Sequence, residues 1–516
     1  MSARDGATAT TADDQVRMYG GWRLRRGIGL WGLDAASTTV VLACALVPLV
    51  LAAIDPRVGA ISAAPALLVA SVTAVRVGGV PLGVHVQRRV TWGRSRRAGR
   101  SSRRYGPNAA STAAAWPAPL GKLQLIEAQG TRGAYAVVRD LDLGLLTVSI
   151  RCAASSAWLV ERDQADGWVG AWHAWLASLG YAPSVRWVSV VVETAPESGT
   201  ALRDEVAARE APSSPRDARS LLKELVRRSP AAAAHVSTWV CVTVDPTGVD
   251  RRRRPRRAGT EAGAAGDLPE LDRLISGLES SLAGCGVTVL GRADATQLLG
   301  AVSDAYDPVT RGRRSVVLPA TRRTASRLRT WDDGSPVAVE EAWDHLRHDS
   351  GCSVSWGWRE APRAQVTSDV LSRLHSPGRH PRRVAVLYRP LPAADAARLL
   401  EAEVNAADFR EAMRRAQRRD ETARDVADRE QARKAAREEA SGAGVVLVSI
   451  YVTSTVTDPA QLPDAVAEVE ARADQSRIRL RRLYGGQAVG FAATLPLGLH
   501  PVAMTSRPRR GQRSRG

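Results

Sequence analysis

One short stretch of the chain, residues 344–352, groups side chains that could bind a metal or transfer protons. It reads Asp-His-Leu-Arg-His-Asp-Ser-Gly-Cys, and on a helix His345, His348 and Cys352 would share one face. Histidine and cysteine are the usual ligands of zinc, so a zinc site is one interpretation. However, the Asp-Ser-Gly triplet is expected to end a helix, and no fourth ligand is evident. We therefore interpret the stretch as a polar helix end and predict no metal site.

Other motifs of catalysis are missing from the sequence. Gly121-Lys122 has no upstream glycine at the spacing of a phosphate-binding loop, and Leu123 follows it. No GxSxG nucleophile motif occurs. The five cysteines stand singly, without a CxxC pair, which argues against a disulfide framework or a zinc ribbon. We expect a protein that is not an enzyme and that uses no cofactor.

Basic segments are the candidate binding sites. The chain has 72 Lys and Arg against 53 Asp and Glu, and the net charge of +19 favours anionic partners. The candidate site is a run of six arginines: Arg251, Arg252, Arg253, Arg254, Arg256 and Arg257. A basic tail, 507–515, carries five more. Neither segment has the interleaved aromatic residues of a single-strand nucleic-acid platform, so both anionic lipid and DNA remain possible ligands.

Two uncharged segments near the N-terminus predict a transmembrane helical hairpin within residues 35–87. Residues 35–54 and 58–75 contain no charge, and Asp55-Pro56-Arg57 separates them. Twenty residues at about 1.5 Å per residue span the hydrocarbon core of a bilayer. The second helix is expected to end or kink near Gly78–Pro81. A cleaved signal peptide fits less well, because the first segment starts late and a second follows directly.

The charges that flank the two segments predict their orientation. Four arginines precede the first segment within residues 17–26, and eight follow the second within residues 88–104. Because basic flanks stay on the cytoplasmic side, both termini of this multi-pass protein of the cell membrane should be cytoplasmic. Residues 1–34 then form a basic N-terminal segment. Residues 88–115 form a basic linker that lies on anionic lipid, and folded structure should begin near Trp116.

Strand and helix patterns alternate through the cytoplasmic part. They predict an α+β fold with a first unit at 116–310, a connector at 311–349, a second unit at 350–500 and a disordered basic tail at 501–516. Each unit reads as strand–helix–strand, connecting helix, strand–helix–strand and short helix, as in a ferredoxin-like pair of βαβ elements. We therefore predict a duplication over about 131–309 and 350–500. The alternative is that the chain has no duplication, and that strands and helices alternate as they do in any α/β chain. Helices should cover one sheet face and leave the other free.

A long charged helix is predicted at 393–440 in the second unit. Acidic and basic residues alternate at helical spacing through 414–440, and that part has almost no apolar face. Such a helix is either solvated or an arm that docks another subunit.

Three segments carry a resemblance to a known group of proteins. They are YGGWRLRRGIGLWGL before the hairpin, DHLRHDSGCSVSW from Asp344, and LRRLYGGQAVGFAATLPLG near the end. They resemble an actinobacterial group of membrane proteins that looks like a fusion of two type IV secretion parts. The hairpin is similar to the small PrgI-type inner-membrane subunit. The cytoplasmic part is similar to the amino-terminal, non-catalytic domain of the conjugation ATPase.

The resemblance implies a scaffold function. The catalytic ATPase domain has no counterpart after Gly498, so the family implies a membrane platform that recruits a separately encoded ATPase. Its implied partners are that ATPase, other membrane components, anionic lipid and further copies of this chain, with DNA as a further candidate. Two alternatives stay open. One is a component like EccE of type VII secretion, which also has two N-terminal spans, and the other is a membrane-tethered nucleic-acid-binding protein.

Overall fold

The protein has a mixed α/β architecture with two apolar N-terminal helices and one large antiparallel sheet, in a computed structural model. The structure describes residues 35–77, 80–99, 101–104, 120–154, 160–196, 215–228, 234–246, 261–311, 335–360, 365–416 and 422–505, with the single positions Tyr19, Val206, Arg209, Trp331 and Pro362.

The two apolar helices pack side by side. Helix α1 spans Ala35–Ile54 and α2 spans Pro56–Ala74. The Asp55 side chain caps α2 by accepting a hydrogen bond from the Arg57 backbone N–H at 2.9 Å. Gly59 lets the helices approach closely, since a side chain there would collide with Ala52. Both helices are long and apolar enough to cross a membrane, and nearly all their residues lie outside the protein core.

The segment predicted as a linker at 88–115 is partly folded. Helix α3 spans Leu82–Arg97, and strand β1 spans Ser102–Arg104 and pairs with a strand from beyond residue 330. The expectation that folded structure begins near Trp116 is therefore wrong. The basic last turn of α3 suits the negative end of its helix dipole, and its aromatic residue Trp92 has partners in the main domain.

Thirteen strands form the large sheet. After β1 they are β2 Leu123–Gly130, β3 Gly133–Asp140, β4 Leu146–Ala154, β5 Val185–Pro196, β6 Ala234–Val244, β7 Val287–Arg292, β8 Ala338–Glu341, β9 Leu346–His348, β10 Gly351–Glu360, β11 Arg382–Pro390, β12 Val446–Val456 and β13 Arg479–Arg482. The spatial order is β1-β8-β9-β10-β12-β11-β5-β6-β4-β3-β2, with β13 also on β10 and β7 also on β4.

Within the residues that the structure describes, ten further helices connect or cover these strands. They are α4 Arg162–Ser178, α5 Arg216–Arg228, α6 Glu261–Leu282, α7 Ala295–Tyr306, α8 Ser372–His375, α9 Ala393–Ala416, α10 Ala423–Ala440, α11 Leu462–Gln475, α12 Gln487–Ala493 and α13 Pro501–Thr505.

The two halves of the sheet have matching pairing patterns. In the first half the neighbouring strands are β7, β4, β6 and β5, and in the second half they are β13, β10, β12 and β11. Every neighbouring pair is antiparallel. The halves join where β5 pairs with β11, with Val191 opposite Ala385 near the middle of the ladder.

One face of the sheet carries the longer helices. In the first half, Val188 and Val240 pack with Trp175 of α4 and Ile275 of α6. In the second half, the valines of β11 and β12 pack against α8 and α11 in the same way. Strand alternation produces this pattern, because every second residue of each buried strand faces these helices.

The opposite face is also covered, so the prediction of a free sheet face is wrong. Helix α7, helix α12 and the chain that follows it to residue 500 lie on that face, and their apolar residues form one buried cluster with it. This closing segment, residues 484–500, reaches both halves. Thr494 Oγ1 bonds Thr453 at 3.0 Å, Ser149 donates to Pro496 O at 2.7 Å, and Trp187 donates to Gly498 O at 2.6 Å. Its small residues let backbone carbonyls approach the hydroxyls of the sheet.

Three other sequence-based expectations differ from the structure. The tail predicted as disordered at 501–516 begins with helix α13, Pro501–Thr505, in which Met504 is buried. The connector predicted at 311–349 contains β8 and β9. The single helix predicted at 393–440 is two antiparallel helices, α9 and α10. Thr422 caps the second by accepting a hydrogen bond from Asp425 N–H.

Candidate docking arm and membrane-proximal junction

The charged helices α9 and α10 form a helical arm, residues 393–440. Ion pairs join the two helices: Asp408 with Arg433 at 2.9 Å, Glu411 with Arg429 at 2.5 Å, and Arg414 with Asp425. Three buried alanines, at positions 406, 407 and 432, allow close packing of the helices. The alternating charges thus stabilise a helix pair rather than one solvated helix.

The arm is attached to the domain at its base. Leu391 N–H donates to Val445 O at 2.9 Å, and Ala396 and Leu400 are buried there. Beyond the base, each helix packs mainly against the other. The arm therefore presents a large surface to solvent.

Two apolar side chains stand on the outer surface of the arm. Phe409 is 51% exposed, and Met413, one turn further along α9, is 39% exposed. The chain has only two phenylalanines, and the other, Phe491, is fully buried. An exposed pair of this kind, framed by charges, has the chemistry of a small protein-docking contact.

A second candidate surface is the junction between α3 and the domain. Trp92 of α3 meets Trp343 edge to face at 5.5 Å between centroids, and Trp343 stacks on Tyr484 at 6.0 Å. The Arg89 guanidinium lies over Trp343 at 4.5 Å. Gly485, with φ of 68°, donates its N–H to Trp343 O at 2.7 Å. Helix α3, which follows the two apolar helices, is thus fastened to the turns that contain Trp343 and Tyr484.

The residues considered as metal ligands lie on strands and do not converge. His348 of β9 is buried on the sheet face covered by α12, whereas Cys352 of β10 faces the opposite core. His345 lies in the preceding turn, with Nδ1 2.9 Å from Asp344. The prediction of a helix end here is wrong, because the stretch forms a β-hairpin. Among the described residues, no group of three or more His, Cys, Asp or Glu is arranged to hold a metal.

His348 forms a buried hydrogen-bonded chain. Burial lowers its pKa to about 4, assisted by the charge of Arg383, so the ring is neutral. Its Nδ1–H donates to Tyr306 O at 2.5 Å, and its Nε2 accepts from Ser353 Oγ at 2.7 Å. Ser353 is 0% exposed, which leaves no access for a substrate. This histidine–serine pair satisfies buried polar groups.

An ion cluster in the centre of the molecule was missed by sequence reasoning. Glu193 of β5 lies 2.5 Å from Arg311 and 3.6 Å from Arg383 of β11. Burial opposes ionisation, but the two arginines outweigh it and hold the pKa of Glu193 below its ordinary value. Arg383 also lies over Phe491 at 4.7 Å. The sequence signal for this cluster was Glu193, the single acidic residue in the valine-rich segment 185–194.

The arginines predicted as the binding site, 251–257, lie outside the described residues, as does the basic tail from 506 onward. The geometry therefore identifies the arm and the α3 junction as the candidate functional surfaces. No protein-family model and no curated protein sequence matches this chain.

Proposed function

We propose that the protein is a non-enzymatic membrane scaffold of a type IV secretion-like or conjugation-like machine, and that it recruits a separate ATPase. One observation carries the proposal. Two exposed apolar helices are fastened through α3 to a large domain from which a helical arm extends. This arrangement supplies an anchor, a rigid platform and a docking element, while the sequence resemblance supplies the class of machine.

The platform in this proposal is a duplicated ferredoxin-like region. When the four strands of each half are numbered along the chain, their order in the sheet is 4-1-3-2, and neighbouring strands are antiparallel. This is the order expected of two paired βαβ elements. The strand that precedes each half, β3 or β9, also pairs with the first strand of that half. These parallels support a duplication that includes the preceding hairpins.

The proposed topology is a hairpin in the cytoplasmic membrane with both termini cytoplasmic. The turn at Asp55 is short and capped, so little chain faces outward. Seven residues separate α2 from α3, and the arginines of α3 support a cytoplasmic location for the domain.

The arm is the proposed docking element for the ATPase. Phe409 and Met413 provide apolar contact, and the surrounding charges would select a partner of complementary charge. Several copies of the chain would present several arms, since one pair of helices has little surface with which to line a conduit alone.

The test is co-purification of ATPase from native membranes with variant chains. Phe409→Ser with Met413→Ser should reduce recovery of the ATPase at least tenfold, because loss of a small apolar hot spot costs about 2 kcal/mol or more. Leu221→Ser with Leu225→Ser is the matched control, since both leucines are exposed on α5, away from the arm.

A deletion provides the stronger form of the test. Residues 405–436 can be replaced by a short Gly-Ser turn, because Asp408 faces Arg433 and the cut ends therefore lie side by side. Unchanged recovery of the ATPase with this deletion would show that the arm is not the docking element. If no ATPase accompanies the wild-type chain, the scaffold function is wrong. A partner of the type VII class would favour the EccE-like alternative.

A further inference from the structure

Three arginines from separate elements converge beside α3. Arg481 of β13 is opposite Gly357 of β10, and Tyr451 of β12 is opposite the same glycine on the other side. Arg359 lies two residues beyond Gly357 on the same strand, and Arg88 of α3 is near enough for its charge to act on Arg481. A side chain at Gly357 would press on Tyr451 and Leu483, at 3.4 and 3.2 Å from its Cβ. The glycine therefore keeps the surface between these groups open.

The positive charge of this arginine cluster is poorly neutralised. Among the described residues, the guanidinium groups of Arg88 and Arg481 make no hydrogen bond and no ion pair. Arg359 has only a distant partner, Glu360, at 3.8 Å. Burial and then the charges of Arg88 and Arg359 lower the pKa of Arg481. Like charges held together in this way favour binding of an anion.

Arg88 lies close to the end of the apolar helices. Leu82 N–H donates to Val75 O at 2.8 Å and holds the start of α3 against the end of α2. Arg88 is six residues into α3, which is about 9 Å along that helix. If α1 and α2 span the membrane as proposed, a residue this close to the end of α2 lies in or near the headgroup layer. The contact of Trp92 with Trp343 fastens the same helix to the domain that carries Arg359 and Arg481.

We propose that Arg88, Arg359 and Arg481 bind the phosphate of an anionic phospholipid headgroup. The proposal rests on the membrane anchor of the proposed function. Guanidinium groups form charge-assisted hydrogen bonds with phosphate oxygens. Tyr451, opposite Gly357 on the neighbouring strand, borders the same open surface. A lipid held in this way would join α3 to β10 and β13, and would fix the orientation of the domain on the bilayer.

The experiment is a titration of the detergent-purified full-length chain with phosphatidylglycerol, followed by native mass spectrometry. Each arginine near a membrane surface contributes about fivefold in affinity. Arg481→Gln should weaken phosphatidylglycerol binding about fivefold, and Arg88→Gln with Arg481→Gln about 25-fold, relative to wild type. Arg481→Lys should retain most of the binding. Arg437→Gln, an exposed arginine of α10 whose Nε donates to the Arg433 carbonyl, is the charge-matched control.

Phosphatidylcholine and inorganic phosphate complete the design. Binding of phosphatidylcholine should be the same in all variants, and millimolar inorganic phosphate should leave the bound phosphatidylglycerol in place. If inorganic phosphate displaces the lipid, the ligand is free phosphate and the lipid assignment is wrong. If the double variant binds phosphatidylglycerol like wild type, the site is wrong. If duplex DNA shows the arginine dependence and the lipid does not, the surface binds nucleic acid.

Two controls keep this test separate from that of the proposed function. Protection of the buried cysteines Cys241 and Cys352 from thiol reagents checks that each variant is folded. Extraction of membranes with alkaline carbonate checks the anchor. A wild-type chain released by carbonate contradicts the scaffold and the lipid site together. An anchored chain whose lipid affinity does not depend on the three arginines contradicts the lipid site alone.

Discussion

Arg383 and Glu193 lie directly opposite each other on the ladder that joins the two halves of the sheet, with Nη1 and Oε1 3.6 Å apart. Both residues are buried, and Arg311 reaches the same carboxylate from outside the ladder. Two positive charges and one negative charge therefore meet at the interface between the halves. Ionised Glu193 is needed to keep both guanidinium groups there.

Removal of the charge of Glu193 should destabilise the domain strongly. Glu193→Gln removes the carboxylate that neutralises the buried Arg383, and breaking a buried pair in this way costs about 3–5 kcal/mol. Urea unfolding of the full-length chain, followed by thiol exposure, measures the free energy of unfolding. Asp395→Asn is the control, because its ion pair with Arg398 is exposed and its loss should cost under about 1 kcal/mol. A cost below about 1 kcal/mol for Glu193→Gln would contradict this account of the interface.

The buried histidines should make the domain acid-sensitive. Burial lowers the pKa values of His348, His375 and His500 to about 4, against an ordinary value of 6.5. The unfolded chain thus binds more protons between pH 6.5 and 4, so stability falls as the pH drops through that window. Each buried histidine should lower the free energy of unfolding at pH 5 by on the order of 2 kcal/mol relative to neutral pH.

A single variant isolates the histidine effect from the acidic groups. Glu341 and Asp349 have pKa values raised by burial, and they act in the opposite direction. His348→Gln can retain the bonds to Tyr306 and Ser353 without titrating. The loss of unfolding free energy between pH 7 and pH 5 should be smaller in this variant by about 2 kcal/mol. An identical loss in both chains would show that His348 does not contribute.

Four cysteines should be inert in the folded chain. Burial raises the pKa of Cys152 to about 12, of Cys241 and Cys352 to about 11, and also raises that of Cys285. Thiol reagents at pH 8 should label none of them until the domain unfolds, because the thiolate is the reactive form. The measurement uses a Cys44→Ser background, with Ser441→Cys as an exposed positive control. Stoichiometric labelling of a native domain cysteine would contradict this packing.

The aromatic junction should control the mobility of α3. Trp343→Ala removes the contact with Trp92, the stack on Tyr484 and the site for Arg89, which together contribute roughly 2 kcal/mol. Cleavage by trypsin within the last turn of α3, measured by mass spectrometry, should accelerate at least tenfold. Tyr181→Ala, at an exposed residue, should leave the cleavage rate unchanged. An unchanged rate in Trp343→Ala would show that other contacts hold α3.

The sequence pattern predicted most of the strands, and the reason is visible in their burial. Residues 185–194 and 445–452 are rich in valine and other β-branched residues, and both form central strands with two covered faces. The covering of the second face was harder to foresee. Residues 484–500 are mostly small and apolar, a composition that does not indicate which surface they cover. Their location is shown by packing and by bonds to the sheet, such as those accepted by Pro496 and Gly498.

The candidate surfaces were less predictable than the strands. Charges that alternate at helical spacing fit both one helix and a helix pair. The ion pairs between the helices, such as Asp408 with Arg433, distinguish the two cases. The arginine cluster joins Arg88, Arg359 and Arg481, which are hundreds of residues apart in the chain. Spacing within a sequence carries no signal for contacts of that kind, because the fold alone brings them together.

The closing segment has a consequence for the order of events during synthesis. Ser149 and Trp187 belong to the first half, yet their hydrogen-bond acceptors, Pro496 and Gly498, come more than 300 residues later. At roughly 5–20 residues per second, the ribosome needs some tens of seconds to make the chain in between. During that interval one face of the first half is without its cover while the apolar helices are already available to the membrane. If the proposed hairpin is inserted during synthesis, the nascent chain is anchored well before its sheet is sealed, and that face of the first half stays uncovered until residue 500 emerges.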